Sequence, residues 1–298
     1  MPVVKPKPPP PSHHTLHVGS AVGRADDFWA LAYCPELDEI EKDSDPEHTE
    51  FTYILHYVGR EKLVEARYRG RLDAIWQRSD GVLLAAGENP SVLEFETDRM
   101  REIPLAVPGI FSSIWGANDE NIFCGGTVVP FAMVQHRGQW HDIALPDGTE
   151  DIREIRGFSE KDVYFVGGHG MVLHFDGRSV TRLRVPTPRI LTGIAALDAT
   201  RMCVSGYQGT LLVGNAGGWR PLITNTSDPL LTVAALDGKA YYGVESSVWS
   251  TDGVAPPEPE YDFPARWVSA LTDGLVFSHG EAAMLCKDGV LTELSVSL

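Results

Sequence analysis

The feature that most constrains the fold is a glycine that recurs at nearly constant spacing along most of the chain. Six glycines follow one another at intervals of 39, 41, 39, 37 and 37 residues: Gly87, Gly126, Gly167, Gly206, Gly243 and Gly280. A period of roughly 40 residues is typical of repeat folds, in which each unit buries its apolar face only against its neighbours. The spacing therefore predicts a modular architecture before any single motif is considered.

Each repeat has the pattern of four short strands. A short apolar segment, a polar turn and a second apolar segment lead to the glycine, as in Ile155–Gly167. A third apolar segment then reaches a tight turn, such as Asp176-Gly177 or Asp288-Gly289, before a fourth segment. Asp-Gly between apolar runs indicates a hairpin because both residues tolerate positive φ. Four antiparallel strands in roughly 40 residues form one propeller blade.

The repeats predict an all-β fold, a seven-bladed β-propeller of four-stranded antiparallel blades, with six or eight blades as the alternatives. Six blades are predicted at 71–109, 110–150, 151–189, 190–229, 230–266 and 267–298. The segment 15–70 fits the same template with one insertion and makes the seventh. Residues 1–14 are expected to form a Pro-rich flexible tail, and 15–298 a single domain with an acidic insertion at 36–50.

The repeat resembles that of the broad propeller superfamily that contains Asp-box, YCF48-like and WD-repeat-like proteins. The resemblance lies in the aliphatic-aromatic second strand with its glycine and in the Asp-Gly turn that follows. The chain lacks the recurring Trp-Asp dipeptide of WD repeats, and Trp249–Gly253 is its nearest fragment to an Asp-box. The resemblance implies a fold rather than an activity.

The chain is strongly acidic. It has 41 Asp and Glu against 25 Lys and Arg, a formal net charge of −16. This balance argues against nucleic acid or an anionic membrane surface as partner, because both attract clustered basic charge. No apolar run is long enough to span a bilayer, the N-terminal segment lacks a secretory signal, and the four cysteines are widely separated. We therefore expect a cytoplasmic protein with reduced thiols.

The insertion at 36–50 concentrates this charge. Its carboxylates outnumber the single Lys42 by seven: they are Glu36, Asp38, Glu39, Glu41, Asp43, Asp45, Glu47 and Glu50. Placed between a second and a third strand, it would project from the face that bears the connections between blades. Such a loop attracts a cationic surface. The alternatives are a solvated loop that binds nothing, and a calcium site, for which the glycine spacing of an EF-hand is missing.

The loops that follow the repeat glycines are expected on the same face. They combine aromatic side chains with carboxylates: Glu88, Phe131, His169, Tyr207, Glu245 and Glu281. Aromatic anchors among charged groups are typical of protein-docking surfaces. We therefore predict that these residues and the acidic insertion line a partner-binding ring mouth.

The sequence shows no catalytic, cofactor or metal-binding constellation. Zinc-protease, nucleophile-elbow and phosphate-loop motifs are missing. Gly167–Gly170 is glycine-rich but lies between two strands, so it offers no helix N-terminus to a phosphate. His56, His136 and His174 fall on third strands and are predicted to be ordinary, hydrogen-bonded strand histidines. No cofactor is expected.

The predicted function is a non-enzymatic propeller that binds a basic protein. Its most concrete form is an inhibitor or immunity protein that neutralises a toxin nuclease, whose cationic cleft would accept a carboxylate-rich loop in place of phosphates. Some immunity proteins of polymorphic and type VI secreted toxins resemble this chain in type, being acidic and propeller-shaped. Glu41, Asp43 and Asp45 are expected to carry most of the electrostatic steering.

Two other classes remain open. A propeller hydrolase or lyase acting on a glycan or small molecule would need titratable groups that converge at the central channel, with Arg156, Arg189, Tyr207 and Glu245 as candidates. An assembly factor of the YCF48 kind would bind a membrane-protein intermediate. A channel lined by convergent titratable groups would favour the first, and an acidic rim would favour protein docking.

Overall fold

The computed structural model describes residues 15–35, 50–96 and 99–297. The described residues form seven four-stranded antiparallel sheets, each built from four consecutive strands. They include a three-residue 3-10 turn at Gly168–Gly170. The prediction of an all-β, seven-bladed propeller is confirmed, and the alternatives of six and eight blades are excluded.

The strands follow the predicted blade boundaries. Blades 1 to 4 contain β1 (His17–Arg24), β2 (Asp27–Tyr33), β3 (Phe51–Val58), β4 (Glu61–Arg69); β5 (Leu72–Gln77), β6 (Leu83–Gly87), β7 (Ser91–Glu96), β8 (Arg99–Pro104); β9 (Ile110–Asn118), β10 (Asn121–Thr127), β11 (Phe131–His136), β12 (Gln139–Asp142); β13 (Ile152–Ser159), β14 (Asp162–Gly167), β15 (Met171–Phe175) and β16 (Val180–Leu183). Blades 5 to 7 contain β17 (Leu191–Ala196), β18 (Met202–Gly206), β19 (Thr210–Asn215), β20 (Gly218–Pro221); β21 (Ala234–Leu236), β22 (Lys239–Gly243), β23 (Val248–Thr251), β24 (Glu258–Tyr261); β25 (Trp267–Leu271), β26 (Gly274–His279), β27 (Ala282–Lys287) and β28 (Val290–Glu293).

The repeat glycine has a steric cause. At Gly87, Gly126, Gly167 and Gly206 a Cβ would lie well inside 3.0 Å of a backbone carbonyl at or just before the start of the first strand of the same blade. Gly243 is equally tight, against a carbonyl in the connection to blade 7. Any side chain would therefore separate the second strand from the chain beside it. The sixth repeat glycine, Gly280, differs from the other five. It lies in the β26–β27 hairpin with a φ of +52° and open space around it.

The hairpin turns agree with the sequence signal at most positions. Asp288-Gly289 is a two-residue turn in which both residues have positive φ, and Arg137-Gly138 in blade 3 is another. Asp176-Gly177 differs, because Phe175 pairs with Val180 across a four-residue loop. There the Asp176 carboxylate accepts the backbone N–H groups of residues 178 and 179, which stabilises the longer loop.

The cores lie between adjacent blades, where neighbouring sheets pack face to face. Trp76 of blade 2 covers Gly116 of blade 3 so closely that a Cβ on the glycine would overlap the indole ring. Trp115 of blade 3 stands in the same relation to Gly157 of blade 4, whose Cβ would lie 2.9 Å from the ring. The tryptophans therefore fasten one blade to the next, which accounts for their burial.

The ring closes where blade 7 meets blade 1. Ser278 donates its hydroxyl to the Val18 carbonyl at 2.6 Å, and the Asp273 carboxylate accepts the Ala25 N–H at 2.7 Å. The C-terminal segment then runs beside the start of the domain, where the Leu16 N–H donates to the carbonyl of residue 296 at 2.7 Å. Closure of the ring covers strand edges that would otherwise be free to pair with other chains.

The three strand histidines are hydrogen-bonded as predicted. His56 contacts Asp27 at 2.6 Å, His136 contacts Asn121 at 2.8 Å, and His174 contacts Asp162 at 2.8 Å. In each case the partner is the first residue of the neighbouring second strand. These histidines therefore fasten third strands to second strands. The four cysteines are buried.

Candidate protein-binding face

The propeller presents two different faces. Adjacent strands run antiparallel and each sheet extends outward from its first strand, so the loops after every second strand and the connections between blades share one face. We call this the loop face. The hairpins that join first to second and third to fourth strands lie opposite, on the turn face. Every loop that the sequence singled out lies on the loop face.

Most predicted docking residues are exposed there. Glu88, His169, Tyr207, Glu245 and Glu281 lie in the loops after the second strands of blades 2, 4, 5, 6 and 7, and all five are exposed. They come from separate blades, so they are spread around the rim of the face.

Phe131 is a correction to the predicted set. It is the first residue of β11 rather than a loop residue and is only 7% exposed. Its ring packs edge-on against Phe111, with centroids 5.1 Å apart. The burial follows from alternation along the strand, which turns this side chain into the core between blades 2 and 3. Phe131 therefore cannot act as a surface anchor.

The acidic insertion falls largely outside the described residues. Glu36, Asp38, Glu39, Glu41, Asp43, Asp45 and Glu47 all lie in that part of the chain. The strands on either side show where the insertion departs from the ring. β2 ends at Tyr33 and β3 begins at Phe51, both at the loop face of blade 1. Glu50, the one insertion carboxylate that is described, is exposed.

The loop face also carries exposed apolar side chains, of which the sequence analysis had singled out only Tyr207. Val128 is 71% exposed and Val129 46% exposed in the β10–β11 loop of blade 3. Ile223 is 73% exposed in the connection from blade 5 to blade 6, and Tyr207 of blade 5 is 39% exposed. We call these four residues the apolar arc. The available signal was Val128-Val129-Pro130, which stands where the corresponding loops of other blades carry glycine or polar residues.

The connection that carries Ile223 is held in place by the neighbouring loop. The Thr224 hydroxyl donates to the Gly209 carbonyl at 2.8 Å, and the Gly209 N–H donates to the Asp228 carbonyl at 2.9 Å. Farther along, the Leu230 carbonyl accepts the hydroxyl of Thr192 at 2.6 Å. The exposed isoleucine thus projects from backbone that is fixed before any partner arrives, which lowers the entropy cost of binding.

Charge is distributed unevenly around the loop face. From the connection before blade 6 round to blade 2, the described carboxylates are Asp228, Glu245, Asp262, Glu281, Glu50 and Glu88. The basic residues there are Arg71 and Arg266, with Arg69 at the end of β4, and Arg71 is already paired with Asp73 at 2.8 Å. We call these six carboxylates the acidic arc. The insertion departs from this same side of the ring. Blades 3 to 5 are nearly balanced, with Asp147, Glu150 and Asp151 against Arg184 and Arg189.

Several carboxylates of the turn face have structural partners. Hydrogen bonds from nearby N–H and O–H groups hold the pKa of five of them below the usual range: Asp119, Asp176, Asp198, Asp252 and Asp273. Asp198 is typical, accepting the N–H of Thr200 and that of Arg201, each at 2.8 Å. On the loop face, by contrast, Glu88 and Glu245 make no side-chain hydrogen bond or ion pair with the described part of the chain. Their charge is available to a partner.

The central channel is lined by first strands and encloses a cavity of about 300 Å³. Glycine, alanine and serine make up much of the lining, with Asp73, Glu154 and Arg156 as its titratable groups. Arg156 Nη1 lies 2.6 Å from Glu154 Oε1, and the Ser113 hydroxyl donates to the same oxygen at 3.3 Å. Burial raises the pKa of Glu154, while the guanidinium acts in the opposite direction.

The residues proposed for a hydrolase or lyase do not converge. Arg156 lines the channel, but Glu245 lines a separate pocket with Asp228, Arg266 and His279. Tyr207 and Arg189 are exposed and line neither cavity. Over residues 15–35, 50–96 and 99–297, no cluster of three or more His, Cys, Asp or Glu could hold a metal ion.

Comparison with curated proteins finds a relative by sequence. The chain is 27% identical over 151 residues to the immune protein Tsi7 of Pseudomonas aeruginosa, a match that covers 48% of this chain and 49% of Tsi7. The chain thus spans about half the length of the curated relative it matches. No protein-family model matches the chain.

Comparison with solved structures confirms the resemblance to WD-repeat and YCF48 propellers. The WD40 propeller domain of Doa1 has a TM-score of 0.70 at 10% identity, covering 95% of this chain and 93% of that one. The RRP9 WD40 repeats have a TM-score of 0.68 at 13% identity, covering 90% and 88%. YCF48 bound to D1 peptide has a TM-score of 0.54 at 14% identity, covering 72% and 77%. These likenesses are of fold. Among the described residues, no helix is long and apolar enough to cross a membrane.

Proposed function

We propose that this chain is a cytoplasmic, non-enzymatic protein-binding propeller that acts as an immunity protein and neutralises a basic toxin through its loop face. The sequence similarity to the immune protein Tsi7 is the observation that carries the proposal. The similarity to WD40 propellers supports a binding role rather than an enzymatic one. Neither a nucleic acid nor a membrane is part of the proposal, since the net charge of −16 disfavours both.

The electrostatics support a cationic partner. The acidic arc lies on the side of the loop face from which the insertion departs, and the sequence of 36–49 adds seven carboxylates and one lysine. A toxin that acts on phosphates has a cationic cleft, which would be attracted to this side and blocked by it. Channel chemistry has less support, because the titratable residues considered for it are divided among separate surfaces.

The proposal is tested with the protein encoded by the reading frame next to this chain's own. That protein is expressed in a heterologous bacterium with and without the propeller, and growth is recorded. The purified pair is then examined by stopped-flow or biolayer interferometry over a range of salt concentrations. Growth arrest that the propeller relieves, together with direct binding, is the expected result.

Charge reversal tests the electrostatic part. The triple variant Glu41→Lys, Asp43→Lys, Asp45→Lys should lower the association rate constant by about tenfold or more at low salt, because electrostatic steering raises on-rates by one or more orders of magnitude. A matched control reverses three turn-face charges, Glu61→Lys, Glu120→Lys and Glu160→Lys, and should leave the rate nearly unchanged. An unaltered on-rate in the first variant would remove the insertion from the binding surface. A pair that does not bind would refute the proposed function.

A further inference from the structure

Val128 has a backbone conformation that valine rarely adopts. Its φ is +71°, in the left-handed region where a branched Cβ is crowded, and the other described non-glycine residues with positive φ carry Asn, Asp, Gln, Arg or His side chains. The Val129 N–H donates to the Thr127 carbonyl at 2.9 Å, which makes Val128 the centre of a γ-turn of the rare, strained kind. Although strained, the side chain is 71% exposed.

The surrounding structure enforces this conformation. The Val128 N–H donates to Asp151 Oδ1 at 3.1 Å, so the connection to blade 4 holds the loop from one side. From the other side, Gly109 lies so close beneath that a Cβ on it would overlap the carbonyls of Thr127 and Val129. The equivalent loops of blades 4 and 5 have glycine or a polar residue at positive φ, namely His169, Gly170, Gln208 and Gly209. Glycine at 128 would relieve this strain, so the backbone conformation of the loop does not require valine.

We propose that Val128, supported by Val129, is the apolar anchor of the loop face and inserts into an apolar socket of the cationic partner. This inference rests on the proposed function and adds the residue that determines how tightly the partner is held. A strained, rigidly held and exposed side chain is expected at a binding site, where interaction with the partner compensates for the strain. A few well-packed residues near the centre of an interface supply most of its affinity, while surrounding charges mainly set the rate of encounter.

The occupant is a polypeptide with a basic surface beside an apolar socket. Apolar and acidic arcs occupy different sectors of one face, so the complementary surface has an apolar sector and a cationic one. A second copy of this chain fits poorly, because two loop faces would bring two acidic arcs together within a molecule of net charge −16. Substitution of the anchor Val128 should therefore change the dissociation rate constant, whereas substitution of the steering charges should change the association rate constant.

Two substitutions at one position separate anchoring from folding. Val128→Thr keeps the branched shape and replaces a methyl group by a hydroxyl, whereas Val128→Gly removes the side chain and the backbone strain. The matched control is Val254→Thr, a valine of similar exposure, 68%, in the β23–β24 loop of the turn face. Binding to the purified protein from the neighbouring reading frame is measured by biolayer interferometry, and melting temperature by differential scanning fluorimetry.

We expect both Val128 variants to raise the dissociation rate constant by about tenfold or more, with the association rate constant changed by less than about threefold. Val128→Gly should melt at or above the wild-type temperature, and Val254→Thr should bind like the wild type. Val128 variants that dissociate at the wild-type rate would overturn the anchor and leave the proposed function standing. A wild-type chain that does not bind overturns both. Sedimentation that shows a wild-type dimer dissociated by Val128→Thr would overturn the cationic partner in favour of a second copy.

Discussion

Gly167→Ala is the sharpest test of the steric account of the repeat. Gly167 ends β14 in extended conformation, with φ 176°, so alanine meets no backbone penalty at this position. The obstacle is space, because the new Cβ would lie well inside 3.0 Å of the Asp151 carbonyl oxygen and 3.3 Å from the Cα of Ile152. Both atoms belong to the backbone, which cannot move aside as the end of a flexible side chain can.

The expected cost follows from that geometry. Ordinary van der Waals contact begins at 3.4 Å, so the start of β13 must move away from β14. Such a shift also stretches the bond from the Gly168 N–H to the Asp151 carbonyl, which is already 3.1 Å long. Overpacking of a well-packed site costs about 1–3 kcal/mol, and a clash with backbone belongs at the upper end. We expect a loss of about 3 kcal/mol.

The measurement is urea unfolding followed by tryptophan fluorescence, with thermal melting as a second readout. For 298 residues, with an unfolding entropy of about 2.1 cal/mol/K per residue, a loss of about 3 kcal/mol corresponds to a decrease of roughly 5 °C in melting temperature. The matched control is Gly19→Ala in β1, where a Cβ would meet Tyr33 Cε2 at an ordinary 3.4 Å. It should be neutral, or stabilising by about 0.5 kcal/mol because alanine lowers the entropy of the unfolded chain.

A Gly167→Ala variant that unfolds within about 0.5 kcal/mol of the wild type would refute the reasoning, since surface-like tolerance is inconsistent with a backbone clash. Equal destabilisation by Gly19→Ala would be just as damaging, because it would mean that any alanine in a propeller strand is costly.

Two further predictions concern residues already described. Phe131→Ala should lower the free energy of unfolding by about 3–5 kcal/mol, because it empties a buried site against Phe111. Urea denaturation measures this loss. A variant that is as stable as the wild type but binds the partner more weakly would show that Phe131 acts as a surface residue. Hydrogen bonds, chiefly from the Thr200 N–H, lower the pKa of Asp198 to about 2. Its contribution to stability is therefore complete above the unfolded pKa of about 3.9 and is lost as pH falls towards 2. When the melting temperature is measured as a function of pH, the Asp198→Asn variant should not show this loss of stability at acid pH. A variant whose acid profile equals that of the wild type would contradict the role given to the Asp198 carboxylate.

Much of the fold could be predicted because each blade repeats one local pattern. Strand alternation, Asp-Gly turns and the glycine period are short-range properties, so the sequence predicts blade boundaries and blade number. The failures have local causes as well. Gly280 keeps the period but lies in a hairpin, and Asp176 accepts two backbone N–H groups and so forms a four-residue loop. Neither difference follows from residue identity or spacing alone.

The candidate site was less predictable. The sequence correctly places Glu88, Tyr207 and Glu245 in exposed loops, since polar residues after a strand usually remain in solvent. The prediction that Phe131 is an exposed loop residue was wrong, because a shift of one residue in register determines whether a side chain points to solvent or to the core. Ile223 could not be recognised, because the conformation of its connection depends on hydrogen bonds to a loop of the preceding blade.

By itself the sequence determined the all-β repeat and the acidic balance and predicted seven blades with six or eight as alternatives, because these depend on local periodicity and on composition. Only the tertiary structure decided that the acidic arc and the apolar arc lie side by side on one face. Only it showed that Val128 is held at positive φ, because Gly109 and Asp151, which fix that loop, come from connections before and after its own blade. Surfaces built from residues distant in sequence exist only once the ring has closed.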